Sequence, residues 1–126
     1  MQQAMSKVIL CLGSNQDAPH HIDAAKALLR QTLTDVRFTS AIWTKPVGGK
    51  PSDGLYLNCL AEARTDLDYP TLHQKMKDME HALGSSPTER CQGIVLIDID
   101  ILMLGHQRHH EDNWQRDYVK DLLTEL

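Results

Sequence analysis

The chain has 126 residues, of which 41% are hydrophobic, and it carries a net charge of −4. This length predicts one domain over residues 1–126 with a two-layer core, and the acidic balance argues against a nucleic-acid-binding surface. The apolar stretch at residues 8–12 is too short for a signal peptide or a membrane span. Three widely spaced cysteines without a C-x-x-C pattern are typical of a reducing compartment. We therefore expect a cytoplasmic protein without nucleic-acid or membrane partners.

The first part of the chain predicts a strand followed by an amphipathic helix. Residues 1–7 are expected to form a disordered leader, and residues 8–12 a short apolar strand that turns at residues 13–15. Asp17 and Pro19 are typical signals for the start of a helix. The apolar residues of this helix recur on one face: Ile22, Ala25, Leu28, Leu29 and Leu33.

Two strands separated by a loop are predicted next. Residues 36–43 alternate between two faces and indicate a strand, with Phe38 and Ile42 on the same face. Residues 45–54 are rich in Pro and Gly and predict a loop, long enough for a functional role. In the third strand, at residues 56–64, alternate residues would face the core: Leu57, Cys59, Ala61 and Ala63. The other set would face the opposite side: Tyr56, Asn58, Leu60 and Glu62.

A second helix should run from Pro70 to the stop signal at Gly84. Its buried face is predicted to contain Leu72, Met76, Met79 and Leu83. Glu80 on this helix has two interpretations, a ligand-binding role or a solvated ion pair with Lys77 three residues away. Residues 85–93 and 106–113 predict polar loops, and residues 114–126 predict a closing helix. Its apolar side would be Tyr118, Leu122, Leu123 and Leu126.

Residues 94–105 predict the central strand, buried on both faces. Alternation places one set of residues on one face: Val95, Ile97, Ile99, Ile101 and Met103. The other face would carry Leu96, Asp98, Asp100 and Leu102. Two carboxylates side by side repel each other, and a Mg²⁺ ion bound by both would remove the repulsion. A solvated sheet edge, or pairing with Lys or Arg, are the alternatives.

The order of elements is β-α-β-β-α-β followed by a terminal helix. This order indicates an α/β (α+β) ferredoxin-like sheet with two helices on one face and a C-terminal helix. The opposite face should lack helices, and Tyr56, Asn58, Asp98 and Asp100 should converge on it beside the Pro/Gly-rich loop. Polar groups that converge in this way are typical of a small-molecule pocket.

The sequence resembles a known family, 6-hydroxymethyl-7,8-dihydropterin pyrophosphokinase. The chain would be a shortened and divergent member of this family. The resemblance rests on L-G-S-N at residues 12–15, T-K-P-V-G at 44–48, Y-L-N at 56–58, Glu80, D-I-D-I at 98–101 and the tail from Arg116. It implies a folate-biosynthesis enzyme that transfers pyrophosphate from ATP to a pterin alcohol and releases AMP. The expected partners are ATP and the pterin, and the expected assembly is a monomer or a weak homodimer.

The resemblance also implies a role for individual residues. The catalytic carboxylates Asp98 and Asp100 would bind two Mg²⁺ ions that bridge the ATP phosphates. The pterin would be bound by Lys45, Pro46, Val47, Gly48, Tyr56, Asn58 and Tyr118. The nucleotide would be bound by Glu80, Ile101, His110 and Arg116.

The chain departs from the family pattern on the nucleotide side. Positions at which the family places Arg or Trp are occupied by Ser85, Pro87, Gln92 and Val95, and the family's His-Tyr pair is replaced by His110-Glu111. Arg90 is the cation of this loop and is out of register, so Arg90, Lys50 or Arg116 would have to substitute. Two alternatives therefore stay open: a degenerate relative that binds a pterin without transferring pyrophosphate, and a non-enzymatic interaction module.

Overall fold

The computed structural model describes residues 4–45 and 54–126. Six strands in this part of the chain form one antiparallel sheet: β1 (Ser6–Ser14), β2 (Thr34–Phe38), β3 (Ile42–Thr44), β4 (Tyr56–Thr65), β5 (Asp98–Leu104) and β6 (Gln107–Arg108). The helices are α1 (Ala18–Thr32), α2 (Tyr69–Ala82), α3 (Pro87–Cys91), α4 (Glu111–Trp114) and α5 (Asp117–Leu123). The strand order is β2-β4-β1-β5-β6, and β3 pairs with β4. The predicted ferredoxin-like α+β fold is confirmed.

The two long helices close one face of the sheet. Pro19 lies in the first turn of α1, where its missing N–H costs nothing. Asp68 caps α2 by accepting a hydrogen bond from the Thr71 backbone N–H at 3.0 Å, and Gly84 ends it with φ of 95°. The apolar faces of both helices pack on the sheet to form what we call the first core. Its helical members are Ala18, Ile22, Ala25, Leu29, Leu72, Met76 and Met79.

The opposite face is partly covered, so the expectation that it lacks helices is wrong. The helix predicted at residues 114–126 is shorter and corresponds to α5, and a further short helix, α4, forms at the end of the loop predicted at 106–113. The Trp114 indole N–H reaches the carbonyls of Leu102 at 3.2 Å and His109 at 3.1 Å, which fixes α4 on β5. We call the apolar cluster beneath these helices the second core: Ile9, Cys11, Leu60, Leu102, Trp114, Val119 and Leu122.

Several element boundaries differ from the prediction. The first strand begins at Ser6, so Ser6 and Lys7 belong to the sheet and not to a leader. The strand predicted at 36–43 is broken at Thr39, whose buried hydroxyl accepts from the Leu60 backbone N–H at 2.9 Å. Beyond this corner Ile42 packs against the second core, whereas Phe38 packs against the first.

Three further differences lie in the last third of the chain. The loop predicted at 85–93 contains α3, which begins at Pro87. The strand predicted from residue 94 begins at Asp98. The loop predicted at 106–113 contains β6, which pairs with β5 to form a hairpin.

A β-bulge interrupts the alternation of β5. Leu10 pairs with Ile101 and Ile9 pairs with Met103, so Leu102 is an extra residue in the ladder. Leu102 and Met103 both face the second core, which corrects the prediction that Met103 shares a face with Ile101. The helices of the described segments are all too short or too polar to cross a lipid bilayer.

Candidate active site

Three neighbouring strands place Asp98, Gly13 and Asn58 in one row across the sheet. Gly13 of β1 pairs with Asp98 of β5 on one side and with Asn58 of β4 on the other. In the row two residues away, Cys11 pairs with Asp100 and with Leu60. Since Cys11 and Leu60 belong to the second core, both rows lie on that face of the sheet. The structure therefore brings together both carboxylates and Asn58, as the alternation predicted.

Gly13 leaves room between Asn58 and Asp98. A Cβ atom at this position would lie 3.1 Å from Asn58 Oδ1, closer than an ordinary contact. The Asn58 Nδ2 atom donates to Thr44 Oγ1 at 2.6 Å, so β3 fixes the orientation of this amide. The amide oxygen is thereby held next to the space that the missing side chain of Gly13 leaves open. A heterocycle bound in this space could donate a hydrogen bond to it.

The two carboxylates differ in their surroundings. Burial, and then the charge of Asp98, raises the pKa of Asp100 from its ordinary value to about 7. The His110 Nε2 atom lies 3.9 Å from Asp100 Oδ1, because the turn into α4 brings His110 over β5. Asp98 is paired with a cation, as both terminal nitrogens of Arg90 reach its Oδ1 atom at 3.3 Å.

Glu80 forms the predicted ion pair with Lys77 three residues away, but the Glu80 carboxylate is buried and not solvated. Only 4% of Glu80 is exposed, and its Oε2 atom accepts the Ile99 backbone N–H at 2.8 Å, which attaches α2 to β5. Its Oε1 atom accepts from Lys77 Nζ and from Arg90 Nη2, both at 3.2 Å. Burial raises the pKa of Glu80 above its ordinary value. Two cations thus converge on one buried carboxylate next to Asp98.

A cavity of about 330 Å³ opens beside these cations, between α2 and α3. Its walls are formed by Lys77, Glu80, His81, Ser85, Ser86, Pro87 and Arg90. Arg90 lines this cavity and also forms the ion pair with Asp98, so one side chain links the cavity wall to the carboxylates. Lys77 and Arg90 make the wall suitable for an anionic group.

A comparison with protein-family models identifies the family of this chain. The model described as 7,8-dihydro-6-hydroxymethylpterin-pyrophosphokinase matches residues 9–126. The chain belongs to this family. No curated protein matches it in a sequence comparison. The matched range includes most of β1, all of β4 and β5 and the C-terminal helices, and with them every candidate site residue. Membership supports a general role as a pyrophosphokinase in folate biosynthesis.

The carboxylate oxygens of Asp98 and Asp100 suit a hydrated, hard cation. Among residues 4–45 and 54–126 no cluster of three or more His, Cys, Asp or Glu could enclose a metal ion. Asp98 and Asp100 alone supply carboxylate oxygens and leave most coordination positions open, as Mg²⁺ prefers when phosphate and water complete its shell. The Arg90 guanidinium forms an ion pair with Asp98 at 3.3 Å, so this carboxylate already lies next to a positive charge.

The C-terminal segment contributes Tyr118 and Arg116 to the same face. Arg116 Nη1 donates to the Tyr118 hydroxyl at 3.3 Å, and this hydroxyl also interacts with the Cys11 thiol. Tyr118 is half-buried, and its burial raises the pKa of its hydroxyl. Because Cys11 pairs with Asp100 across the sheet, Tyr118 lies next to the carboxylate row. The pairing of Tyr118 with Arg116 was not predicted.

Some predicted residues lie elsewhere or outside the described segments. The side chain of Ile101 is buried in the first core, on the other face of the sheet from Asp98. Lys45 is exposed at the end of β3. Tyr56 is half-buried and pairs with Thr44 at the end of the β3–β4 ladder. The predicted pterin-wall residues Pro46, Val47 and Gly48 fall outside the described residues, as does Lys50.

Asn15 has a structural role that the sequence did not reveal. Its Nδ2 atom donates to the Gly93 carbonyl and its Oδ1 atom accepts from the Val95 backbone N–H, both at 2.7 Å. The Asn15 backbone N–H donates to the Val95 carbonyl at 2.9 Å. Asn15 therefore fixes the segment that leads into β5 and so positions Asp98. An Asn after a buried strand was the available signal, but its partners are distant in sequence.

Proposed function

We propose that this pyrophosphokinase transfers the pyrophosphoryl group of ATP to the hydroxymethyl group of 6-hydroxymethyl-7,8-dihydropterin and releases AMP. The observation that carries the proposal is the row of Asp98, Gly13 and Asn58, with Asp100 in the next row. A carboxylate pair and a fixed amide on one sheet face suit the two substrates of this reaction, a metal-bound triphosphate and a polar heterocycle.

The pterin would lie above Gly13. The Asn58 amide, which Thr44 orients, would bind the polar edge of the ring, and the missing side chain of Gly13 allows close approach. Tyr56 and Tyr118 would line the ring from β4 and α5, on the same face as Asn58. The role expected for Lys45, Pro46, Val47 and Gly48 as the pterin wall stays a prediction.

Asp98 and Asp100 would hold Mg²⁺, which when bound neutralises phosphate charge and orients the β-phosphorus toward the attacking hydroxyl. The protein's own contribution is to keep two carboxylates close in a half-buried setting, where their repulsion favours cation binding. Asn15 and Glu80 hold the start of β5 and thereby fix where Asp98 lies. Positioning of this kind supplies much of the catalysis in phosphoryl transfer.

The nucleotide would extend from the carboxylates toward the cations of α2 and α3. Lys77 and Arg90 would contact phosphate oxygens, and His110 and Arg116 would lie on the other side of Asp100. The negative charge that develops on the phosphate cannot be stabilised by the uncharged residues at the positions where the family places Arg or Trp: Ser85, Pro87, Gln92 and Val95. Arg90 and Lys77 both contact Glu80 near Asp98. Their position supports the proposal that these two cations contact the phosphates instead.

A degenerate family member that binds a pterin without turnover is the alternative. The observation that favours it is the pairing of Asp98 with Arg90, which would compete with a metal ion for the Asp98 Oδ1 atom. This alternative keeps the Asn58 site and predicts that Mg²⁺ and nucleotide bind weakly or not at all.

Formation of AMP from ATP and the pterin alcohol tests the proposal. The native protein should turn over only with Mg²⁺, and Asp98→Asn should reduce kcat about 100-fold or more, because one metal ligand is lost. Asp23→Asn is the matched control, since it removes an exposed carboxylate from α1 and should leave kcat unchanged. Pterin binding without AMP release above the Asp98→Asn background would favour the degenerate alternative.

A further inference from the structure

Arg90 is the residue that connects the carboxylate pair with the cavity. Its guanidinium donates to Asp98 Oδ1, to Glu80 Oε1 at 3.2 Å and to the Ile97 carbonyl at 3.3 Å. Arg90 lies in α3, whose first turn is capped by the Ser86 hydroxyl, which accepts the Glu89 backbone N–H at 3.3 Å. A short, separately capped helix thus holds a positive charge against the position expected for a metal ion.

A guanidinium and a divalent cation compete for the same carboxylate oxygen, because both need its lone pairs and the two positive charges repel each other. The Asp98 Oδ1 atom already accepts from both terminal nitrogens of Arg90, and a metal ion that approaches this oxygen would also be repelled by the guanidinium charge. Binding of a cation at this oxygen would therefore favour the departure of Arg90 from Asp98.

We propose that Arg90 is a resident counter-ion of the metal site, displaced from Asp98 by the divalent cation and transferred to a phosphate of the nucleotide. This inference rests on the proposed function and adds to it the order of events at Asp98. Arg90 neutralises Asp98 while the site is unliganded and then becomes the phosphate contact that the family pattern does not provide in this chain.

The surroundings of Arg90 allow this exchange. Its side chain is 37% exposed, so the guanidinium can reorient without opening the core. Glu80 remains in place when Arg90 moves, because the Ile99 backbone N–H and Lys77 still bind its carboxylate. Since Arg90 also lines the cavity, a small rotation carries its charge from Asp98 into the space where an anionic group would lie.

Binding of Mn²⁺ without nucleotide provides the first test, with free Mn²⁺ measured by electron paramagnetic resonance. Removal of the competing cation in Arg90→Gln should tighten Mn²⁺ binding about fivefold, as expected for the loss of a partly exposed ion pair. Arg90→Lys keeps the charge and should return the affinity toward that of the native protein. Thermal unfolding of each variant checks that the fold is retained.

Arg64→Gln is the matched control for net charge. Arg64 is exposed near the far end of β4, six residues from Asn58, or about 20 Å along the strand. Its loss removes the same charge without touching Asp98. An Mn²⁺ affinity in Arg90→Gln that equals or falls below that of Arg64→Gln would overturn the proposal.

The second test uses the same variants with Mg²⁺ and α,β-methylene-ATP in a calorimeter. Here Arg90→Gln should weaken binding about tenfold relative to Arg64→Gln, because the phosphate contact is lost. Exchange predicts that Arg90→Gln strengthens Mn²⁺ binding and weakens nucleotide binding. A change of both affinities in the same direction would contradict it. If the native protein binds neither probe more tightly than Asp98→Asn, the proposed function itself fails. Native binding that depends on Asp98 but shows no Arg90 effect rejects only the exchange.

Discussion

The two faces of the sheet use the same strands for different purposes. Under α1 and α2 the face is apolar and closed, whereas the opposite face is apolar beneath α4 and α5 and polar beside them. The start of strand β5 and the residue before it show the difference: Ile97 and Ile99 are buried in the first core, while Asp98 and Asp100 face the other way. Each polar residue therefore has an apolar sequence neighbour that fixes its backbone. The closed face thus provides the rigidity that the polar face requires.

The largest effect should follow from a cavity in the first core. Leu72 of α2 is fully buried, and Leu72→Ala should lower the free energy of unfolding by about 3 kcal/mol or more, measured by urea denaturation. The matched change in the second core is Leu122→Ala, on α5. We expect Leu122→Ala also to weaken pterin binding, because α5 positions Tyr118. If Leu72→Ala impaired pterin binding more than Leu122→Ala in the folded protein, the division of roles would be wrong.

The carboxylate pair should reduce stability when no metal is bound. Because the pKa of Asp100 is raised to about 7 in the folded state, its stabilising contribution is complete at acidic pH and is lost as the pH rises through 7. In chelator-containing buffer, the native protein should lose roughly 2 kcal/mol between pH 5 and pH 8 relative to Asp100→Asn. Urea denaturation across this range measures the difference. Parallel pH profiles for the two proteins would contradict the prediction.

Gly13 offers a smaller and more specific change on the polar face. Gly13→Ala would place a methyl group 3.1 Å from Asn58 Oδ1, in the space assigned to the pterin. Pterin affinity, followed by fluorescence titration, should fall about tenfold, while the unfolding free energy changes by about 1 kcal/mol or less. Ala27→Gly is a useful control, since it changes an exposed residue on α1. Undiminished pterin affinity in Gly13→Ala would place the ring elsewhere.

The smallest perturbation is chemical labelling of the three cysteines. Burial raises the pKa of Cys11 to about 12 and that of Cys59 to about 11, whereas Cys91 is exposed. A bulky thiol reagent should label Cys91 rapidly in the native protein, and the other two slowly, through transient opening of the fold. Slow native labelling of Cys11 before Cys59, identified by mass spectrometry, would show that the face beneath α5 opens more readily than the first core. Equal rates would indicate that both faces open together.

The parts of the fold that depend on local rules could be predicted from the sequence. Alternation along a strand assigned the core-facing residues of β4, and helix signals at Pro19 and Gly84 located the ends of α1 and α2. The proximity of Asp98, Asp100 and Asn58 followed from the same alternation combined with the strand order. Their roles in binding stay predictions.

The features that escaped prediction depend on partners distant in sequence. The break at Thr39 exists because its hydroxyl binds the backbone of Leu60. Burial of Glu80 requires β5 to lie beneath α2, and the sequence separates Glu80 from Ile99 by 19 residues. Arg90 reaches Asp98 only because α3 forms within a segment that reads as a polar loop. Local pattern carries no information about such contacts.

Because of the bulge at Leu102, the effect of a one-residue deletion in β5 depends on its position in the strand. Deletion of one residue before the bulge would invert the alternation upstream and turn Asp98 and Asp100 into the apolar interior. The same deletion at Leu102 would leave both carboxylates in place and regularise the ladder to Ile9, although it would also remove a buried side chain of the second core. Insertions and deletions among natural variants of this strand should therefore accumulate on the C-terminal side of Ile101.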